Sequence, residues 1–147
     1  MTHRIPNSKS FVKITTYVVL LVCAATLCAT PAVAQEASGV LDGRIFVGST
    51  GEKGKEASEE DELRFANGRF RSVDCDQWGF GDAPYTARTL GDSIIFSAVT
   101  VSPEHGKIEW NGVVKGDTLD ASYVWRKERW YWKDAHEEKW FQGSIKN

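Results

Sequence analysis

From Val40 onward, apolar and polar residues alternate, and Gly, Asn, Asp or Pro interrupts the alternation at short, regular intervals. A period of two is the signature of a strand with one buried face, and recurrent breakers are the signature of hairpins. The pattern predicts an antiparallel all-β domain of about eight strands, near residues 40–48, 62–66, 69–75, 85–90, 93–101, 107–115, 118–126 and 138–145. The turns carry their own chemistry. Asn67-Gly68 tolerates two positive φ angles, as a type I′ turn requires; Gly91-Asp92 and Gly116-Asp117 repeat a Gly-Asp turn, and residues 103–106 make a fourth.

The alternation also sorts the faces. Leu63 and Phe65, Ile94, Phe96 and Ala98, Ile108, Trp110 and Val114, Leu119, Ala121, Tyr123 and Trp125, and Phe141 with Ile145 fall on one side of their strands, the predicted core. Glu62, Arg64, Lys107, Glu109, Lys115, Asp120, Ser122 and Arg126 fall on the other. The fifth strand departs from the rule, because Ile95, Val99 and Val101 make its outer face apolar as well and predict a cover there. A meander of short strands keeps two exposed edges unless it closes, so a small up-and-down barrel is the predicted architecture, with an open or flattened sandwich as the alternative. Residues 49–61, rich in Gly, Lys and Glu, predict a mobile loop ending in a helical turn over 56–61; residues 76–83, with Trp78-Gly79-Phe80-Gly81, predict an aromatic and glycine loop.

The N-terminal segment changes the arithmetic. His3, Arg4, Lys9 and Lys13 stand without an acid, an apolar stretch follows from Tyr17 to Cys28, and Pro31 precedes Ala32-Val33-Ala34. This is the layout of a secretory signal peptide, residues 1–34, and the apolar run is too short for a spanning anchor. Neither Cys23 nor Cys28 follows the small residue that lipoprotein processing reads. Cleavage leaves 113 residues with 15 Lys and Arg against 20 Asp and Glu, an acidic exported domain, periplasmic or secreted, with no membrane anchor. Only Cys75 remains, so no internal disulfide is available. Asp74 and Asp76 flank it and raise a thiol pKa, which makes it a small hydrophobe or the link of a dimer rather than a nucleophile.

An exported single domain that opens with Leu41-Asp42-Gly43-Arg44-Ile45-Phe46-Val47-Gly48 and meanders through eight strands resembles the calycin class, the lipocalin-like small barrels. The resemblance is one of architecture: Gly43-Arg44 is followed by Ile45, not by the Trp of the Gly-x-Trp signature, and Lys146 stands nearest to the basic residue those barrels place by the last strand. It implies a barrel that carries a small apolar ligand or docks on another protein.

Chemistry-bearing motifs are few. There is no Ser-His-Asp signature, and adjacent acids such as Glu59-Glu60 and Glu137-Glu138 do not make a separated acid and base, so no enzyme and no catalytic residue is predicted. Residues 51–55 lack the first glycine of a phosphate loop, since Ser49 stands in its place and Glu56 follows the lysine. His136 between Asp134 and Glu138, joined by His105 or by Asp74 and Asp76, is the nearest approach to a metal set, but no two His lie at ligand spacing, and neither a metal site nor a cofactor is expected. The segment from Trp125 to Lys133 interleaves aromatics with cations and has three readings: a bulged hairpin whose Trp130 and Trp132 pack beneath cations, an exposed recognition patch, or a platform for nucleic acid or anionic sugars. Acidity and export speak against nucleic acid. The sequence thus leads to a small apolar ligand in a cavity lined by Phe96, Trp110, Tyr123 and Trp125. The alternative is an envelope protein gripped by Trp78, Phe80, Arg129, Trp130 and Trp132, with the protein a monomer or a Cys75-linked dimer.

Overall fold

The computed structural model describes residues 39–147; the signal segment expected over residues 1–34 lies outside the described residues. Eight antiparallel strands run β1 Ile45–Glu52, β2 Glu59–Ala66, β3 Arg69–Ser72, β4 Ala83–Leu90, β5 Ser93–Ser102, β6 Gly106–Lys115, β7 Thr118–Lys127 and β8 Ala135–Ile145. Each pairs with its sequence neighbour, and β1 pairs with β8, so the meander closes into a barrel with no free edge. The up-and-down barrel expected from the alternation, and implied by the likeness to calycins, is the architecture observed.

Closure sets two ends. The connections after β1, β3, β5 and β7 lie at one, and those after β2, β4 and β6 at the other. At the second end the turns are tight. Asn67 and Gly68 both adopt positive φ, as the two-residue hairpin demands. Leu41, fully buried, plugs that end, and its N–H donates to the Tyr85 hydroxyl at 2.9 Å, which in turn donates to Asp42. The other Asp42 contact is the Gly68 N–H, at 2.9 and 3.0 Å to its two oxygens.

Inside, rings follow one another along the barrel axis. Phe65 meets Phe46, Phe70, Tyr85 and Phe96 at centroid distances of 4.9–6.1 Å. Phe70 then meets Trp110 at 5.0 Å, and Trp110 stacks on Tyr123 at 4.1 Å. An eight-stranded barrel is only just wide enough for its own side chains, so such rings demand small residues opposite them. Gly112 supplies the space for Phe96, since a Cβ there would stand 2.3 Å from Cε1 of the ring.

Four expectations need correction. Residues 49–61 are not a loop ending in a helical turn: β1 runs on to Glu52 and β2 starts at Glu59, leaving only residues 53–58 as the connection. The backbone of β1 is laddered on both sides, with Ser49 opposite Glu60 and Gln142, and that pairing outweighs the low strand propensity of Gly and Glu. At its other limit β1 begins at Ile45 rather than Val40, because Gly39 and Gly43 take positive φ and the chain turns there, Asp42 N–H donating to the Gly39 carbonyl. The third strand stops at Ser72, and Cys75 sits in a 3-10 helix, Asp74–Trp78, pulled inward where the Asp74 N–H donates to Asp61 at 2.9 Å. Finally, Val99 and Val101 are exposed, and no cover lies over that outer face among the described residues.

Candidate functional site

The rings fill only part of the barrel. Following the inward positions toward the end with the longer connections, β1 changes from Phe46 through Gly48 to Thr50 and Glu52, β2 from Leu63 to Asp61 and Glu59, and β8 from Phe141 to Lys139 and Glu137. Three adjacent strands turn polar toward that end, in steps of two residues from β2 to β1 to β8: Asp61 stands opposite Gly48, Thr50 follows, and Lys139 stands opposite Glu52. Charged side chains keep their heads in water, so packing stops there. The result is a concavity of about 610 Å³, open at its mouth.

Its wall is assembled from several elements: Glu59 and Asp61 of β2, the 3-10 helix with Asp74, Cys75, Gln77 and Trp78, then Phe80, His105 and Ile108, Tyr123 and Trp125 of β7, and Glu137 and Lys139 of β8. One hydrogen bond and one ring contact fix the two indoles at His105. Trp125 Nε1 donates to the His105 carbonyl at 2.7 Å, and the Trp78 ring meets the His105 ring edge-on at 5.4 Å. The Trp78 carbonyl accepts from Ser102 at 2.8 Å, which ties the 3-10 helix to β5. Gly79, at φ 74°, ends that helix in the left-handed conformation and turns Phe80 back into the core.

Tyr123 makes the floor. One face lies on Trp110, and its hydroxyl lies 2.6 Å from Thr50 Oγ1. The single Thr50 proton is spent on the Trp140 carbonyl at 2.7 Å, so the tyrosine O–H is the donor of the pair. Burial raises the Tyr123 phenol above its ordinary range, and it is neutral at any physiological pH. Beside it, Asp61 is buried and accepts from Ser72 at 2.6 Å and from the amides of Glu62 and Asp74. Burial nonetheless pushes its carboxyl above the usual range, those hydrogen bonds offsetting only part of the cost of desolvation. The Cys75 thiol is pushed up to about 12, by burial first and then by Asp61 and Asp74, so it is protonated and a poor nucleophile. Asp76, its other acidic neighbour in sequence, is instead held by Arg71.

The residues singled out from the sequence separate into three places. Tyr123 and Trp125 line the concavity, whereas Phe96 and Trp110 lie beneath it in the ring stack. Trp78 and Phe80, read from the sequence as grips for a partner, stand in the wall of the same concavity, Phe80 buried and Trp78 half exposed. Arg129, Trp130 and Trp132 lie on the β7–β8 connection, exposed; the bulged arrangement with both indoles packed does not occur, because β7 ends at Lys127 and the chain leaves the sheet. In the sequence Glu59 and Glu137 count only as members of adjacent acid pairs, and Asp61 and Lys139 not as site residues; the period of two puts Lys139 inward within the expected last strand and, continued past the expected strand ends, brings Glu59, Asp61 and Glu137 inward as well.

Counting Asp61 as ionised, the lining holds four carboxylates, Glu59, Asp61, Asp74 and Glu137, against Lys139, whose ammonium lies 3.8 Å from Glu59. Rings and carboxylates converging on one opening form an environment for a cation with an apolar body. Among the described residues no group of three or more His, Cys, Asp and Glu is placed to hold a metal ion. Comparison of the chain with protein-family models, with curated proteins and with solved structures matches none of them.

Proposed function

We propose that the protein is an exported binding barrel that takes one small molecule into the concavity, an apolar and preferably aromatic body between Trp78, Phe80 and Trp125 with a basic end toward the carboxylates. The carrying observation is the unfilled end of an otherwise ring-packed barrel, about 610 Å³ in volume, within the range of small-molecule sites. The lining refines the apolar ligand expected from the sequence, since charged residues supply as much of the wall as the rings do. Binding rather than turnover is the role the chemistry supports: the thiol is protonated, the phenol is neutral, and the carboxylates serve as charge. Export rests on the N-terminal pattern of residues 1–34.

The test is a titration followed by indole fluorescence, because Trp78 and Trp125 report on occupancy directly. An aromatic amine is expected to quench saturably and a matched aromatic carboxylate far less, and Trp125→Leu is expected to weaken the amine. Absence of saturable binding by either probe overturns the reading.

A further inference from the structure

The β7–β8 connection, residues 128–134, takes no part in the concavity, yet it is the most unusual surface on the molecule. Trp130 is 94% exposed, Tyr131 70% and Trp132 71%. The first two rings meet edge-to-face at 4.9 Å and find no other aromatic partner among the described residues. The Arg129 N–H donates to Asp134 Oδ1 at 3.0 Å, which pinches the base of the connection and holds the rings at its tip. Three large rings exposed side by side are a costly arrangement for a surface that meets only water.

Charge narrows what they meet. Arg126, Lys127, Arg129 and Lys133 surround the rings, against Glu128 and Asp134. Arg126 faces Glu109 at 3.8 Å; Lys127, Arg129 and Lys133 form no ion pair among the described residues. A basic tip therefore projects from a domain that is acidic overall. Nucleic acid would meet that acidic remainder at close range, whereas a planar anionic surface touches the tip alone. The shape points the same way. Trp, Tyr and Arg also make protein hot spots, but those close into a water-excluding pocket of the partner, whereas rings set among unpaired cations suit a fluid anionic surface that reshapes around them. Indole and phenol rings, apolar with one polar edge, partition to the boundary between headgroups and acyl chains, and flanking Lys and Arg add attraction to anionic lipid.

We propose that residues 129–133 insert into the headgroup region of an anionic lipid bilayer and so bring the open end of the barrel to the membrane. The connection lies at the same end as the concavity, so ligand exchange and membrane contact would share one face.

The experiment uses the protein recovered after export, its N-terminus read by mass spectrometry, with vesicles of phosphatidylcholine alone or mixed with phosphatidylglycerol. Variants in the same processed form cancel any contribution from elsewhere in the chain. Anionic vesicles are expected to shift indole emission to the blue and to sediment with the protein, with binding weakened by salt. Trp130→Ala/Trp132→Ala is expected to abolish the shift while leaving the unfolding midpoint nearly unchanged, because both rings are exposed and Trp130 touches only the equally exposed Tyr131 ring. Arg129→Gln/Lys133→Gln is expected to lower affinity about tenfold or more, the worth of two cations at an anionic surface. Equal binding to neutral and anionic vesicles, or binding that the double indole variant retains, overturns the proposal. A folded protein that binds no vesicle also overturns it and leaves the tip to a protein partner.

Discussion

Gly112→Ala isolates the fit between wall and rings, because two effects of opposite sign meet at one atom. Gly112 sits on the inner face of β6 between Trp110 and Val114, at an ordinary strand conformation, so its backbone gains by acquiring a side chain. That gain is about 0.5–1 kcal/mol for Ala over Gly within an element. Against it, the new methyl would stand 2.3 Å from Phe96 Cε1, 2.9 Å from Cζ and 3.1 Å from the Ala121 methyl. The ring has no room to retreat, held by Phe65 at 4.9 Å and Phe70 at 5.5 Å and almost wholly buried. Overpacking a filled core costs about 1–3 kcal/mol. The net expectation is a loss of roughly 1–2 kcal/mol, read as a lower urea midpoint at unchanged slope. Phe96→Leu vacates the space, so the double variant should recover part of the loss, with a coupling of at least about 0.5 kcal/mol in a double-mutant cycle. A stabilised Gly112→Ala, or strict additivity with Phe96→Leu, would refute the claim that this part of the barrel is packed solid.

Three further outcomes follow from the polar end. Asp61 holds its proton to higher pH in the folded protein than in the unfolded chain, so it stabilises the fold more as pH falls and less as pH rises through its raised pKa. Asp61→Asn removes that titration while keeping an oxygen for the two amides. The stability advantage of the variant over the parent is therefore expected to shrink from pH 7 into the acid range; a difference that widens toward acid would contradict it. Carboxylates lowered by surface partners, such as Glu62 beside Lys146 and Glu109 beside Lys107, act in the opposite sense but cancel in that comparison. Native Cys75 should alkylate far more slowly at pH 8 than in denaturant, because a thiol near 12 yields almost no thiolate; equal rates would disprove its burial as the controlling factor. Tyr123→Phe should cost about 0.5–1.5 kcal/mol, the worth of a single hydrogen bond, since Thr50 keeps the Trp140 carbonyl.

The barrel was legible in the sequence because its physics is local. Alternation assigned the inward face of β5, β6 and β7 correctly from Phe96 to Tyr123, and Asn67-Gly68 marked its own turn. The concavity was less legible. Apolar residues mark a strand in the sequence, so the expected strands stop where Glu, Lys and Gly begin, at Ser49, Glu62 and Glu138, and Glu59, Asp61 and Glu137 of the concavity's wall lie beyond those limits. A strand does not end because its inward side chains turn polar; the ladder continues while the packing does not. Trp125 and Trp130 show the same limit from the other side. Similar in composition and close in sequence, they end up in the wall and at a protruding tip because the sheet ends between them, at Lys127.

The most direct measurement is native mass spectrometry of the exported protein, with and without reductant. The protein is expected to carry, or to take up from an extract, one small basic molecule with an apolar body, and to lose it on substitution of Trp125 or of Glu137. A bare chain to which no small molecule adds, with or without reductant, would contradict a ligand-binding barrel.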